Sequence, residues 1–241
     1  VVTHGTNMLE ELAFLLSLVL APGKPVVVTG SMRPLSALSS DGPIHLVDAL
    51  RLAGCGAAEG RGVLVALDGK IWPARWVTKA RTNGVAAFTG GDRGPCGAIE
   101  PDGAVVFFAP EERTGPTLPV TAADPLPRVD VVLSYAGADA VPIEAVLAAG
   151  AAGLVSAGTG AGFATPAEHA ALVEAVGTGV VVCQSSRAAG RVHRRPALVR
   201  DGIVAAQYLG PVPSRILLAL ALVEDADPDR IQSLFDRVSG T

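Results

Sequence analysis

Apolar residues form two different patterns over the first thirty residues of the chain, a continuous run and a helical repeat. The continuous run Val26-Val27-Val28 is typical of an interior strand of a parallel sheet. An earlier stretch repeats instead at the i, i+3, i+4, i+7 and i+11 spacing of a buried helical face, through Leu9, Leu12, Ala13, Leu16 and Leu20. The pattern predicts a helix that packs on a sheet, followed by a buried strand.

A polar turn, His4-Gly5-Thr6-Asn7, lies between a short strand end at 1–3 and this helix. Asn is among the best residues at a helix N-cap, and Glu three residues later can complete a reciprocal capping box. Asn7 and Glu10 have that spacing. We therefore expect Asn7 to cap the helix, with Glu10 as its partner.

The rest of the first half alternates strand and helix signals. Asp41-Gly42-Pro43 favours a helix start, because Pro at the first helical position loses no hydrogen bond. Asp68-Gly69 is a strong hairpin signal. The remaining predicted features are a polar loop over 30–41, a turn at 101–103, and strands over 62–67, 71–77 and 104–109.

The segment between Arg113 and Arg128 is rich in Pro and Thr and has no period, which is typical of a linker. Strand and helix signals then alternate again: strands over 129–134, 153–156 and 180–184, and helices over 142–149, 166–176, 213–223 and 227–238. Such alternation favours parallel sheets. We therefore expect a two-domain α/β protein, with a larger N-terminal domain over 1–113 that has a mostly parallel sheet, a linker over 114–128, and a smaller Rossmann-like parallel-sheet domain over 129–241.

Charge and hydropathy exclude several classes of function. The 241 residues carry a net charge of -4, which argues against a nucleic-acid surface because phosphate binding needs clustered Lys and Arg. The most basic stretch, 187–195, contains no aromatic residue and is interpreted as a solvated loop. Because no apolar run approaches the ~20 residues that span a bilayer, we expect no membrane partner. A cytoplasmic location is expected, with an upstream signal peptide left open.

The cysteines and histidines indicate neither a disulfide framework nor a metal site. Cys55, Cys96 and Cys183 are odd in number and have no CxxC spacing, so reduced and packed thiols are expected. The four histidines show no ligand spacing either. We expect no metal and no cofactor.

Five short segments stand out by their residues and by their order along the chain. They are V-V-T-H-G-T-N-M-L-E-E at 1–11, V-V-V-T-G-S-M-R-P at 26–34, S-S-D-G-P at 39–43, V-T-K at 77–79 and S-A-G-T-G-A-G at 156–162. Together they resemble the bacterial-type L-asparaginase and glutaminase-asparaginase family over nearly the whole chain. The resemblance implies hydrolysis of a small amide to a carboxylate and ammonia, and assembly into a homo-oligomer.

The resemblance also implies a set of site residues. Thr6 and Lys79 match catalytic positions of the family, and Gly5, Asn7 and Ser31 match positions that bind the substrate. The chemistry of the turn agrees, since amide hydrolysis needs a nucleophile, a base to activate it and hydrogen-bond donors for the oxyanion. Thr6 offers a hydroxyl on a strand-to-helix turn, and a lysine can accept a proton when it is neutral.

The chain departs from the family pattern at four places. The T-G-G-T-I motif that carries the other catalytic threonine is not found, so the N-terminal domain is expected to be truncated at its start; Thr89-Gly90-Gly91 is only superficially similar. The family has Asp where this chain has Asn7, and Asn where it has Gly137. The acidic residue expected after Ser185-Ser186-Arg187 is replaced by a shorter basic loop. The last three departures predict poor binding of free asparagine.

Plainer interpretations stay open for each of these residues. In these interpretations Asn7 does no more than cap a helix, Thr6 is a hydroxyl bonded to the backbone, and Lys79 is a surface lysine. The glycine-rich loop 158–162 lacks the spacing of a phosphate cradle, which favours a close backbone turn. For the whole chain, the alternatives to an active enzyme are an inactive relative kept for binding or assembly and a binding protein for small polar amides.

Overall fold

The computed structural model describes residues 1–21, 23–108, 115–121 and 123–241. These residues separate into two compact units, Val1–Thr117 and Leu118–Thr241. The domain limit predicted at 113/114 lies outside the described residues, and the linker over 114–128 stays a prediction.

The first unit is an α/β layer structure built on a six-stranded sheet. Its helices are α1 (Leu9–Val19) and α2 (Gly42–Ala53). Its strands are β1 (Val2–Thr3), β2 (Val26–Thr29), β3 (Val63–Leu67), β4 (Lys70–Pro73), β5 (Thr78–Lys79), β6 (Phe88–Thr89), β7 (Gly97–Ile99) and β8 (Val105–Phe107). The six-stranded sheet has the order β1-β2-β3-β4-β7-β8, and β5 pairs with β6 in a separate ribbon.

This sheet is mixed, whereas the sequence predicts one that is mostly parallel. β1, β2 and β3 are parallel, but the three pairings from β3 to β8 are antiparallel. The cause is the tight turn at Asp68 and Gly69, where φ is +54° and +65° and the chain reverses between β3 and β4. A two-residue turn of this kind can join only antiparallel strands.

Two predicted strands of this unit differ in length from the observed ones. The strand predicted over 71–77 ends at Pro73, because the N–H groups of Trp76 and Val77 turn back to the Pro73 carbonyl. The strand predicted over 104–109 corresponds to β8, and Ala109 lies outside the described residues.

Alternate residues of the strands bury opposite faces of the first sheet. On one face, α1 contributes Leu9 and Ala13 to a cluster with Val28 and Val65. The other face carries a second cluster under α2: Val27, Ala49, Leu52, Leu64, Ala66 and Ile71. This period of two is what a strand buried on both sides requires.

The second unit has a four-stranded, fully parallel sheet in the order β12-β11-β10-β9. Its strands are β9 (Val129–Leu133), β10 (Gly153–Gly158), β11 (Val181–Ser186) and β12 (Val204–Ala205). Its helices are α3 (Val141–Ala148), α4 (Pro166–Gly177), α5 (Pro196–Arg200), α6 (Pro211–Glu224) and α7 (Pro228–Ser239). The predicted parallel sheet is confirmed, and α5 with β12 adds one further crossover.

A capping box fixes the start of α4. Thr165 Oγ1 accepts the Glu168 N–H, and Glu168 Oε2 accepts the Thr165 N–H at 2.8 Å. Ser134 Oγ also donates to Glu168 Oε2, at 2.6 Å. This buried carboxylate therefore connects the end of β9 with α4 without a cation among these contacts.

Two further features concern the state of the cysteines and the length of the apolar helices. The three cysteines are free thiols, and burial raises the pKa of Cys183. No helix within the described ranges is long and apolar enough to cross a membrane.

The ends of β1 and β2 approach each other closely at the polar turn. His4 N–H donates to the Thr29 carbonyl at 2.9 Å, which extends the parallel pairing beyond β1. Gly30 follows β2 directly, and a Cβ atom on it would lie 2.4 Å from the His4 carbonyl oxygen. Only glycine therefore permits this approach of the two backbones.

Gly30→Ala should destabilise the first unit by about 1–3 kcal/mol, because the new methyl group forces the two strand ends apart. Gly56→Ala is the matched control, since nothing lies within 4 Å of its Cβ position. The control should be neutral or slightly stabilising. Urea unfolding of both variants measures the difference, and equal stabilities would contradict the close approach.

Candidate active site

The polar turn after β1 places Thr6 beside a lysine that is distant in sequence. Lys79, at the end of β5, donates from Nζ to Thr6 Oγ1 at 2.9 Å and to Asn7 Oδ1 at 3.3 Å. Thr6 and Lys79 are half-buried, whereas Asn7 is exposed. Three of the residues that the sequence predicts for the site therefore meet at one ammonium group.

The predicted capping box at the start of α1 is wrong. The N-cap residue is Met8, and no side chain caps the helix. Asn7 Oδ1 instead accepts from Lys79 Nζ, and Glu10 Oε2 accepts a hydrogen bond from the backbone N–H of Lys79. The two side chains that could have capped the helix are thus both used to hold Lys79.

Gly5 lies in the same turn and is exposed. Its carbonyl accepts from the Met8 N–H at 3.3 Å and lies 2.9 Å from His4 Nδ1. These bonds close the turn over Thr6. Gly5 can therefore present only backbone groups to a ligand.

Ser31 lies close to the turn but outside its hydrogen-bond network. It follows Gly30, whose Cβ position is 3.4 Å from Thr6 Cγ2, and its own Cβ faces Gly42 at the start of α2. No hydrogen bond joins Ser31 to Thr6, Asn7 or Lys79 in the described part of the chain. A role for Ser31 in substrate binding stays a prediction.

Asp41 holds the loop that carries Ser31. Its two carboxylate oxygens accept the N–H groups of Met32 at 2.8 Å and Arg33 at 2.9 Å. Burial acts to raise the pKa of this carboxyl, but the N–H groups of Met32, Arg33 and Asp41 itself, together with His45, keep the pKa below its ordinary value. The sequence indicated that Asp41 precedes a helix and lies in the S-S-D-G-P segment, but it predicted no role for the side chain.

His45 was not predicted to have a role, yet it links this loop to the hairpin after β3. The ring is buried; its Nδ1 lies 2.9 Å from the Gly30 carbonyl, and its Nε2 accepts the Asp68 N–H at 3.0 Å. An acceptor at Nε2 and a donor at Nδ1 define a neutral imidazole. A single histidine without ligand spacing offers no sequence signal for such a link.

The arrangement can move a proton between a hydroxyl and an amine. The Lys79 ammonium meets two neutral oxygens, and the Glu10 carboxylate is bonded to the backbone of the same lysine. Within the ranges that the structure describes, no three His, Cys, Asp or Glu side chains gather where they could hold a metal ion. The groups that the geometry brings together here are the hydroxyl of Thr6 and the ammonium of Lys79.

The departures noted in the second half of the sequence lie at the carboxyl ends of β9 and β11. Gly137 follows β9 at a φ of +84° in an exposed turn. Arg187 follows β11 and donates to the Ser134 carbonyl at 3.3 Å. Arg191 donates to Gln207 Oε1 at 2.8 Å, and Arg194 pairs with Asp229. The basic loop is thus held within the second unit by several contacts.

Comparisons with known proteins agree with the fold. The family model "Asparaginase, N-terminal" matches residues 1–112, and "Glutaminase/Asparaginase C-terminal domain" matches residues 128–235. The chain belongs to the asparaginase family.

Individual relatives cover almost the whole chain. L-asparaginase 2 of Bacillus subtilis is 39% identical over 98% of this chain and 64% of its own length. L-asparaginase 2 of Escherichia coli is 38% identical over 98% of this chain and 70% of its own. The crystal structure of a probable cytoplasmic L-asparaginase from Campylobacter jejuni superposes with a TM-score of 0.92 at 37% identity, over 98% of this chain and 76% of that one. The chain thus spans about two thirds to three quarters of these relatives.

Asp41→Asn tests the carboxylate that holds the Ser31 loop. The amide cannot accept both N–H groups without turning its own NH₂ toward one of them, so a loss of about 1.5–3 kcal/mol at neutral pH is expected. Because the folded-state pKa of Asp41 is lowered, its contribution is complete above the unfolded pKa of about 3.9 and is lost as the pH falls through the folded value. The stability gap between wild type and variant should therefore shrink below about pH 4.

Urea unfolding at pH 7, 5 and 3 measures this gap. Asp92→Asn is the control, because Asp92 is exposed in a short turn of the same unit. The control should leave the stability unchanged throughout. A gap of constant size down to pH 3 would contradict the assigned role of the carboxylate.

Proposed function

We propose that this protein is a threonine-dependent amidohydrolase that converts the side-chain amide of asparagine, or of a related small amide, to a carboxylate and ammonia. The observation that carries the proposal is the 2.9 Å hydrogen bond between Lys79 Nζ and Thr6 Oγ1. Family membership supports it, since the related proteins of Bacillus subtilis and Escherichia coli bear the name L-asparaginase 2. A relative from Pseudomonas fluorescens is named glutaminase-asparaginase.

Lys79 and Thr6 form the proton path of the proposed reaction. In its neutral form, Lys79 Nζ accepts the proton of the Thr6 hydroxyl, and Thr6 Oγ1 accepts a proton from the water that attacks the amide carbonyl. The proton held on Nζ then passes to the amide nitrogen as the carbon–nitrogen bond breaks. One water is consumed, and the acid and ammonia that form exchange a proton, so a carboxylate and one ammonium ion are released.

The residues around this pair give it a fixed geometry. Helix α1 begins at Leu9, three residues after Thr6, and its dipole favours an oxyanion that develops nearby. Gly5 and Ser31 complete the proposed substrate side of the site, where Gly5 offers backbone groups and Ser31 a hydroxyl. Asn7 contributes an amide where a carboxylate would attract a cationic substrate group.

We also propose a cytoplasmic location and a homo-oligomeric state. The location is supported by the Campylobacter jejuni structure, named "Probable Cytoplasmic L-asparaginase", although a Haemophilus influenzae relative is named "Probable L-asparaginase periplasmic". Cell fractionation tests the location. Light scattering on the purified protein tests the assembly, and a stable monomer would contradict it.

Removal of either catalytic group should strongly reduce turnover. Thr6→Ala and Lys79→Met are each expected to lower kcat for the best amide by about 10²–10⁴-fold, because each breaks the proton path. Thr6→Ser keeps a hydroxyl and should retain measurable activity. Ammonia release from asparagine, glutamine and small amides is the measurement.

Thr89→Ala serves as the control, because it removes a hydroxyl from β6, which pairs with the strand of Lys79, without touching the ammonium. Its kcat should stay within about threefold of wild type. A wild-type chain that folds and releases no ammonia would refute the proposed function. Full activity of Lys79→Met would refute the assigned proton path.

Asn7→Asp should shift the substrate preference toward amides that carry an ammonium group. The variant changes one atom and adds the negative charge that an α-ammonium seeks, so kcat/KM for asparagine should rise by at least about tenfold relative to succinamate. Succinamate is asparagine without its ammonium group. Asn83→Asp adds the same charge at an exposed position of the same unit and should leave the ratio unchanged. An unchanged ratio in Asn7→Asp would exclude Asn7 from substrate recognition.

A further inference from the structure

Lys79 is held at both of its ends by residues from the start of α1. Its ammonium is bonded to Thr6 Oγ1 and Asn7 Oδ1, while its backbone N–H donates to Glu10 Oε2. Thr6, Asn7 and Glu10 lie within five consecutive residues, and Lys79 is 69 residues away from Glu10. One short segment therefore determines the position of both the Lys79 ammonium and the Lys79 backbone.

The strand that carries Lys79 has little support of its own. β5 has two residues, and among the residues that the structure describes it pairs only with β6, through Thr78 with Thr89 and Lys79 with Phe88. This ribbon is not part of the six-stranded sheet. An isolated two-stranded ribbon is marginally stable, so its position relative to α1 depends on contacts that link the two.

We propose that Glu10 is a positioning residue for Lys79: its carboxylate fixes the lysine backbone so that Nζ remains within hydrogen-bond distance of Thr6 Oγ1. The role rests on the proposed amidohydrolase function for its catalytic meaning. Glu10 does not reach the reacting atoms itself, because its contact is with a backbone N–H. It acts by fixing the point from which the flexible side chain starts.

Chemistry favours a carboxylate for this task. A charged acceptor makes a stronger bond to a backbone N–H than a neutral one does, and the first turn of a helix stabilises negative charge. A displacement of about 1 Å in a catalytic group can cost about 100-fold in rate. A lysine side chain is long and has four rotatable bonds, so a small movement of the Lys79 backbone would cause a larger displacement of Nζ.

Two substitutions separate the acceptor from the rest of the side chain. Glu10→Met keeps length and helix propensity but removes the acceptor, and kcat should fall by at least about tenfold while KM stays within about threefold. Glu10→Gln retains a neutral acceptor and should recover at least a threefold higher kcat than Glu10→Met. Glu11→Met is the matched control in the same helical turn and should resemble wild type.

Hydrogen exchange at the Lys79 amide provides a readout that does not need turnover. In wild type this amide is bonded to Glu10 and should be protected; in Glu10→Met it should exchange at least about tenfold faster. The Ala74 amide, bonded to the Val63 carbonyl at 3.0 Å, reports on the unit as a whole and should not change. If Glu10→Met does not fold, the Lys79 amide is measured in Glu10→Gln instead. It should exchange faster than in wild type, by less than the tenfold expected for Glu10→Met, while the Ala74 amide stays unchanged.

The outcomes separate this proposal from the proposed function. A wild-type protein without turnover refutes the amidohydrolase function, while Lys79 exchange still tests the link to Glu10. Unchanged exchange at Lys79 in both variants overturns the proposal. Turnover in Glu10→Met equal to wild type also overturns it, and so does a Glu10→Gln variant that loses as much kcat as Glu10→Met.

Discussion

The close approach of the β1 and β2 ends is the constraint on which the site depends. Thr29 and His4 continue the parallel pairing past β1, and Gly30 brings the second chain so near that no Cβ fits between them. The polar turn therefore leaves the sheet from a fixed point. Because α1 begins directly after the turn and packs its apolar face on the same sheet, the hydroxyl of Thr6 is held from both sides.

A second constraint brings the lysine to this hydroxyl. β5 belongs to a small ribbon outside the main sheet, yet Val77 and Phe88 at its ends lie in the same apolar cluster as Leu9 of α1. Burial of these side chains places the ribbon against the helix but does not fix it to a fraction of an ångström. The directional hydrogen bonds that Lys79 donates to Glu10, Thr6 and Asn7 supply that precision.

The sequence predicts the elements better than it predicts their partners. Periodicity and turn residues predict α1, β2, α2 and the hairpin at Asp68-Gly69, because these depend on neighbours in sequence. The alternation of strand and helix signals predicts the parallel sheet of the second unit, because parallel strands need crossover connections. The capping box at Asn7 and Glu10 fails for the opposite reason. A local cap at the start of α1 competes with hydrogen bonds to Lys79, which lies 69 residues from Glu10. Glu10 binds the backbone N–H of Lys79, and every residue except proline has such a group, so the side chains in the sequence do not indicate this contact.

The same difference explains why the paired site residues come from resemblance and their supporting residues do not. Lys79 has no pattern of its own, and only the match of V-T-K with the family motif relates it to Thr6. His45, Asp41 and Glu10 bond mainly to backbone groups, so their function depends on the fold around them and not on a motif of side chains. Recognition of the substrate is separable from the contacts that hold Thr6 and Lys79 in place. Asn7 contributes only Oδ1 to Lys79. Replacement of its Nδ2 by an oxygen, as in Asn7→Asp, can therefore alter which amide binds without moving the threonine or the lysine.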